Sequence, residues 1–203
     1  IVRPSCDDGG FGLDRQSVVH SKKELKAKVR ELIAEHREAL IQEFLPGREF
    51  NVGVIGGARP EVLPLAEVDY TQLPSHIPPI MSRAAKWIET SVEYKKTSVI
   101  CPAVVEPELA QRIRAIALGC FRAVGAWGYV RVDMRLDTDG NPRVLEVNCN
   151  PCIESGIGLA RSAEQAGIDY PQLIQRILDA AMELHHRVPL LLSPVVVPAA
   201  TPA

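Results

Sequence analysis

The stretch from Trp127 to Asn148 constrains what this chain can fold into more than any other. Residues 127–136 and 143–148 alternate between apolar and polar side chains, with Asp137-Thr138-Asp139-Gly140 between them. That is the pattern of an antiparallel hairpin closed by a tight turn. Alternation puts Arg131 and Asp133 on one face of the first strand, and Val144, Glu146 and Asn148 on one face of the second. If Asp137 faces Pro142 across the turn, Asp133 lies opposite Glu146 and Arg131 opposite Asn148. Carboxylates directly across a strand pair, with Cβ atoms about 5 Å apart, repel, so a cation belongs between them. Asp, Glu and Asn are hard oxygen donors that suit magnesium rather than zinc, and magnesium fills the rest of its shell with substrate phosphates. Arg131 adds a positive fork for a phosphoryl oxygen. A solvated strand face with Arg131 paired to Asp133 accounts for the same residues equally well.

Around this hairpin the periodicity alternates between helix and strand. Ser21 and Glu24 form a capping box ahead of Leu25, Val29, Leu32 and Ile33, which predicts a helix to about Arg37. Residues 39–44 read as a short strand, Pro46-Gly47 as a turn, and 49–55 as a strand that ends at Gly56-Gly57 and pairs back with 62–68. Residues 69–99 carry Pro74, Pro78 and Pro79, show no steady period and read as a long loop, a kind of segment that is usually functional or disordered. Pro107 starts a helix through Leu109, Ile113, Ile116, Ala117, Cys120, Phe121 and Val124, with Gly125 as its stop; this makes Cys120 a core residue rather than a chemical one. Asp169, Pro171 and Gln172 cap a last helix through Leu173, Ile177 and Ala181. The proline-rich segment 188–203 reads as a tail.

A hydrophobic share of 46% over 203 residues is enough for a sizeable core. The net charge of -2 gives no electrostatic reason to expect nucleic acid as a partner. No apolar run is long enough to span a bilayer and the start lacks the order of a signal peptide, so no membrane association and a cytoplasmic location are expected. Five cysteines, an odd number, argue for reduced thiols over a disulfide framework. The chain opens without methionine on Ile1-Val2-Arg3-Pro4, a strand end entering a loop, from which a missing N-terminal portion is expected.

Tyr129-Val130-Arg131-Val132-Asp133 followed by Leu145-Glu146-Val147-Asn148-Cys149-Asn150-Pro151 resembles the signature of the ATP-grasp superfamily, specifically of D-alanine-D-alanine ligase-like proteins. The segment with Gly9-Gly10-Phe11-Gly12 is similar to the family's first phosphate loop, and Gln42-Glu43-Phe44-Leu45-Pro46-Gly47-Arg48-Glu49 to its adenine hinge. Ala85-Lys86-Trp87 resembles the lysine of its mobile loop, and 166–170 its final helix connection. The resemblance covers residues 1 to about 184. It implies an α+β fold in which two subdomains with mainly antiparallel sheets sandwich ATP, the family's N-terminal domain being absent. Residues 1–46 would belong to the central subdomain and 47–187 to the C-terminal catalytic one.

The same resemblance implies an ATP-dependent carbon-nitrogen ligase serving peptidoglycan synthesis, with small-molecule substrates, a homodimeric state, and two Mg2+ or Mn2+ ions. Gly9, Gly10 and Gly12 would bring backbone amides to the phosphates. Arg3 would stand in for a phosphate-binding lysine, and Gln42, Glu43 and Leu45 would line the adenine. Glu49 would hold the ribose hydroxyls, or be an ordinary edge-strand glutamate. Lys86 and Arg131 would be catalytic cations, and Asp133, Glu146 and Asn148 the metal ligands. A carboxylate would attack the γ-phosphate, and an amine would displace phosphate from the acylphosphate.

The chain makes four departures from the family pattern. Arg3 replaces a lysine, Gly9 and Gly10 replace serines, Cys152 replaces a glycine, and Ile157-Gly158 replaces a serine-leucine pair that holds the acceptor carboxylate. A ligase for another amino-acid pair, and an ATP-binding module without catalysis, are the alternatives. Cys149-Asn150-Pro151-Cys152 is a CxxC that by itself would suit a redox pair or half a zinc site, yet no second CxxC or nearby CxxH completes it.

Overall fold

A computed structural model describes residues 1–6 and 9–187; the expected tail, 188–203, lies outside the described residues. The chain is α+β. Strand β1 (Val2–Arg3) pairs antiparallel with β2 (Leu40–Ile41), and Gln42 N–H donates to the Ile1 carbonyl at 3.0 Å. The other strands form one six-stranded sheet: β3 (Glu49–Gly56), β4 (Glu61–Val62), β5 (Ala66–Asp69), β6 (Ser98–Ile100), β7 (Gly128–Leu136) and β8 (Pro142–Asn148). Their order is β6-β5-β3-β7-β8, with β4 also on β3. The expected return strand over 62–68 is present in two pieces, since Val54 pairs with Val62 while Asn51 pairs with Ala66. Pro64 lies in the gap, where a residue without an N–H cannot complete a ladder.

Helix α1 (Lys22–His36) starts where its capping residues place it, with Ser21 Oγ accepting from Glu24 N–H at 3.2 Å. The Glu24 carboxylate turns further back and accepts from His20 N–H at 2.7 Å, which holds its pKa below the usual carboxylate range. The buried face differs from the apolar count: Leu32 is buried but Ile33 is half exposed, and Lys28 is buried in its place. Burial opposes that ammonium, but Asp14 and Glu31, each 2.7 Å away, outweigh it and raise its pKa.

The segment read as one long loop contains two five-residue helices, α2 (Arg83–Trp87) and α3 (Val92–Lys96). Each begins at a serine whose hydroxyl accepts a backbone N–H, Ser82 from Ala85 and Ser91 from Tyr94. Helix α4 (Pro107–Ala123) buries Ile113, Ala117 and Phe121. Cys120 is half-buried there, and burial pushes its thiol pKa up, as suits a packing residue. A further helix, α5 (Gly158–Gln165), was not evident in the periodicity. Helix α6 (Tyr170–Arg187) is capped reciprocally: Gln172 N–H donates to Asp169 at 2.8 Å and Asp169 N–H to the Gln172 side chain at 3.1 Å.

Among the described residues the packing divides into two compact units, one drawn from 1–51, 66–103 and 134–145, the other from 52–65, 104–133 and 146–187. The second unit is built on Ile55, Leu63, Leu159, Ala160, Ala163, Ile168 and Leu173. Gly53 permits this core, because a Cβ there would press within 3.0 Å of Leu63. Among the described residues no helix is long and apolar enough to cross a membrane.

Candidate functional site

Of the hairpin residues singled out by alternation, Arg131, Asp133 and Glu146 lie together. On β7, Arg131 donates from Nε and Nη2 to the two oxygens of Asp133, both at 2.7 Å, and Nη2 lies 3.8 Å from Glu146 on β8. This is the Arg131–Asp133 pair that the solvated-face alternative called for, with Glu146 close to the same guanidinium. Asp133 is buried while Glu146 remains exposed. The turn closes differently from the expectation. Asp137 N–H bonds the carbonyl of Asn141, not Pro142, at 3.0 Å, and Gly140 N–H bonds Asp137 at 3.1 Å. Gly140 adopts φ 76°, a left-handed bulge residue that tightens the loop.

Asn148 is held by a local turn in which its Oδ1 accepts from Asn150 N–H at 2.9 Å, and Asn150 Oδ1 in turn accepts from Tyr129 OH at 2.8 Å. An amide oxygen has a second lone pair, so this does not stop Asn148 from ligating a cation. The donor set of two carboxylates and one amide fits a hard divalent ion. Among the described residues no three His, Cys, Asp or Glu side chains gather as a cage, so such an ion needs oxygens from a ligand as well. Cys149 and Cys152 are exposed free thiols, with no third Cys, His, Asp or Glu grouped with them among the described residues.

In the other unit the glycine loop meets the lysine helix. Trp87 Nε1 donates to the Gly9 carbonyl at 2.8 Å, and Arg83 N–H donates to the Leu13 carbonyl at 3.2 Å. Gly9, Gly10 and Gly12 have φ of 62°, 82° and 69°, a region L-residues avoid, so serines at positions 9 and 10 would be strained in this loop. A Cβ on Gly12 would also collide with the Pro4 ring. Arg15 clamps Glu93 of α3 with bonds of 2.6 and 3.0 Å, and that bonding lowers the Glu93 pKa. Lys86, half-buried at the end of α2, makes no ion pair among the described residues.

The hinge segment is held chiefly at its C-terminal end. Glu49 is buried and lies on β3, which is flanked by β5 and β7; the edge-strand alternative is excluded. Its Oε2 accepts from Tyr70 OH at 2.9 Å and lies 3.5 Å from Arg135 Nη1. Arg135 is itself buried. Its Nε donates to the Gly47 carbonyl at 3.0 Å, and its guanidinium carbon is 5.0 Å from the Phe44 ring centre and 5.6 Å from that of Tyr70. Neither Arg135 nor Tyr70 was picked out from the sequence, although the period of two that marks Arg131 and Asp133 continues to Arg135. Arg3 and Gln42 bond each other, Nε to Oε1, at 3.0 Å. Glu43 is exposed and Leu45 half-buried.

Comparison with known proteins finds a family that covers most of the chain. The family model described as D-ala D-ala ligase C-terminus matches residues 1–179. An uncharacterized protein, y4sG, from Sinorhizobium fredii (strain NBRC 101917 / NGR234) is 36% identical over 89% of this chain and 51% of its own length. D-alanine--D-alanine ligase from Haemophilus influenzae (strain PittEE) is 30% identical over 90% of this chain and 56% of its own length. The chain thus spans about half the length of the curated relatives it matches. The crystal structure of D-alanine--D-alanine ligase from Bacillus anthracis complexed with ATP superposes with a TM-score of 0.67 at 23% identity, over 92% of this chain and 60% of that one; at this identity the likeness is one of fold. With the match running from residue 1 to residue 179, the chain belongs to the D-alanine-D-alanine ligase C-terminal family, within the ATP-grasp superfamily.

Proposed function

We propose that this chain carries the nucleotide- and metal-handling part of an ATP-dependent carboxylate-amine ligase that works through an acylphosphate. The observation that carries the reading is the match of residues 1–179 to the D-ala D-ala ligase C-terminus family, which sets the Arg131 guanidinium, bonded to Asp133 and beside Glu146, in a ligase rather than on a plain solvated strand. A side chain already poised among carboxylates can be handed over to a phosphoryl oxygen once another cation takes its place. Asp133, Glu146 and Asn148 would hold magnesium, which supplies charge neutralisation at phosphate oxygens. Gly9, Gly10 and Gly12 offer backbone amides to the phosphates, Lys86 brings a further positive charge, and Glu49 holds the ribose. Arg3, Gln42, Glu43 and Leu45 complete the nucleotide contacts.

The chain's own contribution is positioning and charge, with no protein nucleophile. The substrate carboxylate oxygen attacks the γ-phosphorus, ADP leaves, and the amine then forms the C–N bond as inorganic phosphate departs. Arg131 stays on the phosphoryl oxygens throughout. Hydroxylamine provides the test, because it captures an acylphosphate as a hydroxamate. Incubation of the protein with MgATP, an amino acid and hydroxylamine should yield hydroxamate and ADP in equal amounts. Release of AMP and pyrophosphate instead would overturn the acylphosphate reading.

An acceptor other than D-alanine is a second reading with its own observation. Ile157, standing where the resemblance expects a serine for the acceptor carboxylate, is the N-cap of α5 and makes no side-chain hydrogen bond there. A screen of acceptor amines against one activated donor separates the two.

A further inference from the structure

We infer that Arg135 is a positioning residue for nucleotide recognition, acting through the 44–49 segment and through Glu49 above all. This inference rests on the nucleotide reading proposed above and adds a residue and a specificity to it.

A guanidinium buried to 5% exposure is costly unless its charge and its donors are met by the protein. Three of the groups that meet Arg135 belong to one short stretch: the Phe44 ring, the Gly47 carbonyl and the Glu49 carboxylate. The fourth, Tyr70, packs its ring on the guanidinium and donates its hydroxyl to the same Glu49 oxygen. One side chain from β7 therefore fastens three positions of the segment, and Tyr70 closes the arrangement from the far side. The backbone is pinned at the same place. Gly47 N–H donates to Leu136 at 3.1 Å and Leu136 N–H to Arg48 at 2.9 Å, and a Cβ on Gly47 would lie 2.5 Å from the Leu136 oxygen.

The chemical consequence concerns Glu49. Its Oε2 is engaged by a phenol and a guanidinium, so the carboxylate is held in one orientation with its other oxygen turned to accept. Vicinal hydroxyls, both donors, are the complement of such a fixed acceptor. A pre-oriented carboxylate gains more from them than a mobile one, because it loses less side-chain freedom on binding. Arg135 should thus set how strongly the protein prefers a ribose with both hydroxyls. Lysine cannot replace it, since an ammonium cannot serve the Gly47 carbonyl, Glu49 and two ring faces with one planar fork.

The test is calorimetric titration of the chain with MgATP and with 2′,3′-dideoxy-ATP plus magnesium, for the unaltered protein, Arg135→Met and Arg135→Lys. Thermal melts establish that each variant is folded at the titration temperature. The unaltered protein should prefer ATP by about tenfold or more, the loss expected when two hydroxyl contacts to a charged acceptor disappear. In both variants the preference should fall to about twofold or less, through weaker ATP binding with the dideoxy nucleotide little changed. A folded variant of either kind that keeps the full preference overturns the role given to Arg135. An unaltered protein that binds neither nucleotide overturns the nucleotide reading beneath it. A merely structural ion pair would move the melting temperature and leave the ratio alone.

Discussion

Arg131 holds Asp133 through two parallel hydrogen bonds of equal length, 2.7 Å each. That geometry needs a planar fork, and lysine cannot reproduce it. Arg131→Lys should lower hydroxamate formation by roughly tenfold to a hundredfold, because oriented charge is worth a few kcal/mol where phosphoryl charge moves. MgATP affinity should change by less than about threefold, since positive charge is retained. Steady-state kinetics beside calorimetry measure both, and equal losses in turnover and affinity would contradict the transition-state role.

Trp87 ties the lysine helix to the glycine loop through a single indole bond to the Gly9 carbonyl. Trp87→Phe keeps a ring and removes the donor. The net value of such a bond is about 1 kcal/mol, so ATP affinity should fall by about fivefold if the loop is ordered on the phosphates by this contact. The factor by which magnesium strengthens ATP binding should not move, and calorimetry reads both.

Gly12 combines a left-handed backbone, φ 69°, with contact against the Pro4 ring. Gly12→Ala meets both obstacles and should destabilise the protein by more than about 1 kcal/mol. Gly125→Ala, with φ 63° and no atom near its Cβ, isolates the backbone term alone. Chemical denaturation should rank Gly12→Ala as the more damaging of the two.

Glu93 gives a pH signature. Hydrogen bonding from Arg15 lowers its folded pKa, so the carboxyl contributes stability that is fully present above the ordinary glutamate value, about 4.3. That stability is lost as pH falls through the lowered folded value. Thermal melts between about pH 6 and pH 3 should show a loss that is smaller in Glu93→Gln. Superimposable pH profiles would exclude the Arg15 pair as a source of acid lability.

Sequence periodicity located the hairpin, the start of α1 and the cap of α6 because each depends on residues within a few positions of one another. Ser21 with Glu24, and Asp169 with Gln172, are local chemistry. Helices α2 and α3 escaped notice because five residues are too few to show a period of 3.6. Helix α5 begins at Gly158 with φ 49°, so neither cap nor propensity announced it. The hinge cluster was half legible. Glu49 is marked by its neighbours in sequence, but its partners Arg135 and Tyr70 come from other elements and meet it only through tertiary packing. The same holds on α1, where the apolar spacing includes the half-exposed Ile33, while the buried Lys28 depends on Asp14, from outside the helix, as well as on Glu31.

On the proposed function, Asp133, Glu146 and Asn148 hold a divalent ion that in turn holds the nucleotide. Titration of ATP into the chain with and without magnesium, repeated with Glu146→Gln, tests it most directly. Magnesium should strengthen ATP binding by about tenfold or more, and Glu146→Gln should abolish most of this gain while the protein stays folded. ATP binding of equal strength with and without magnesium, or a full magnesium effect in Glu146→Gln, would contradict it.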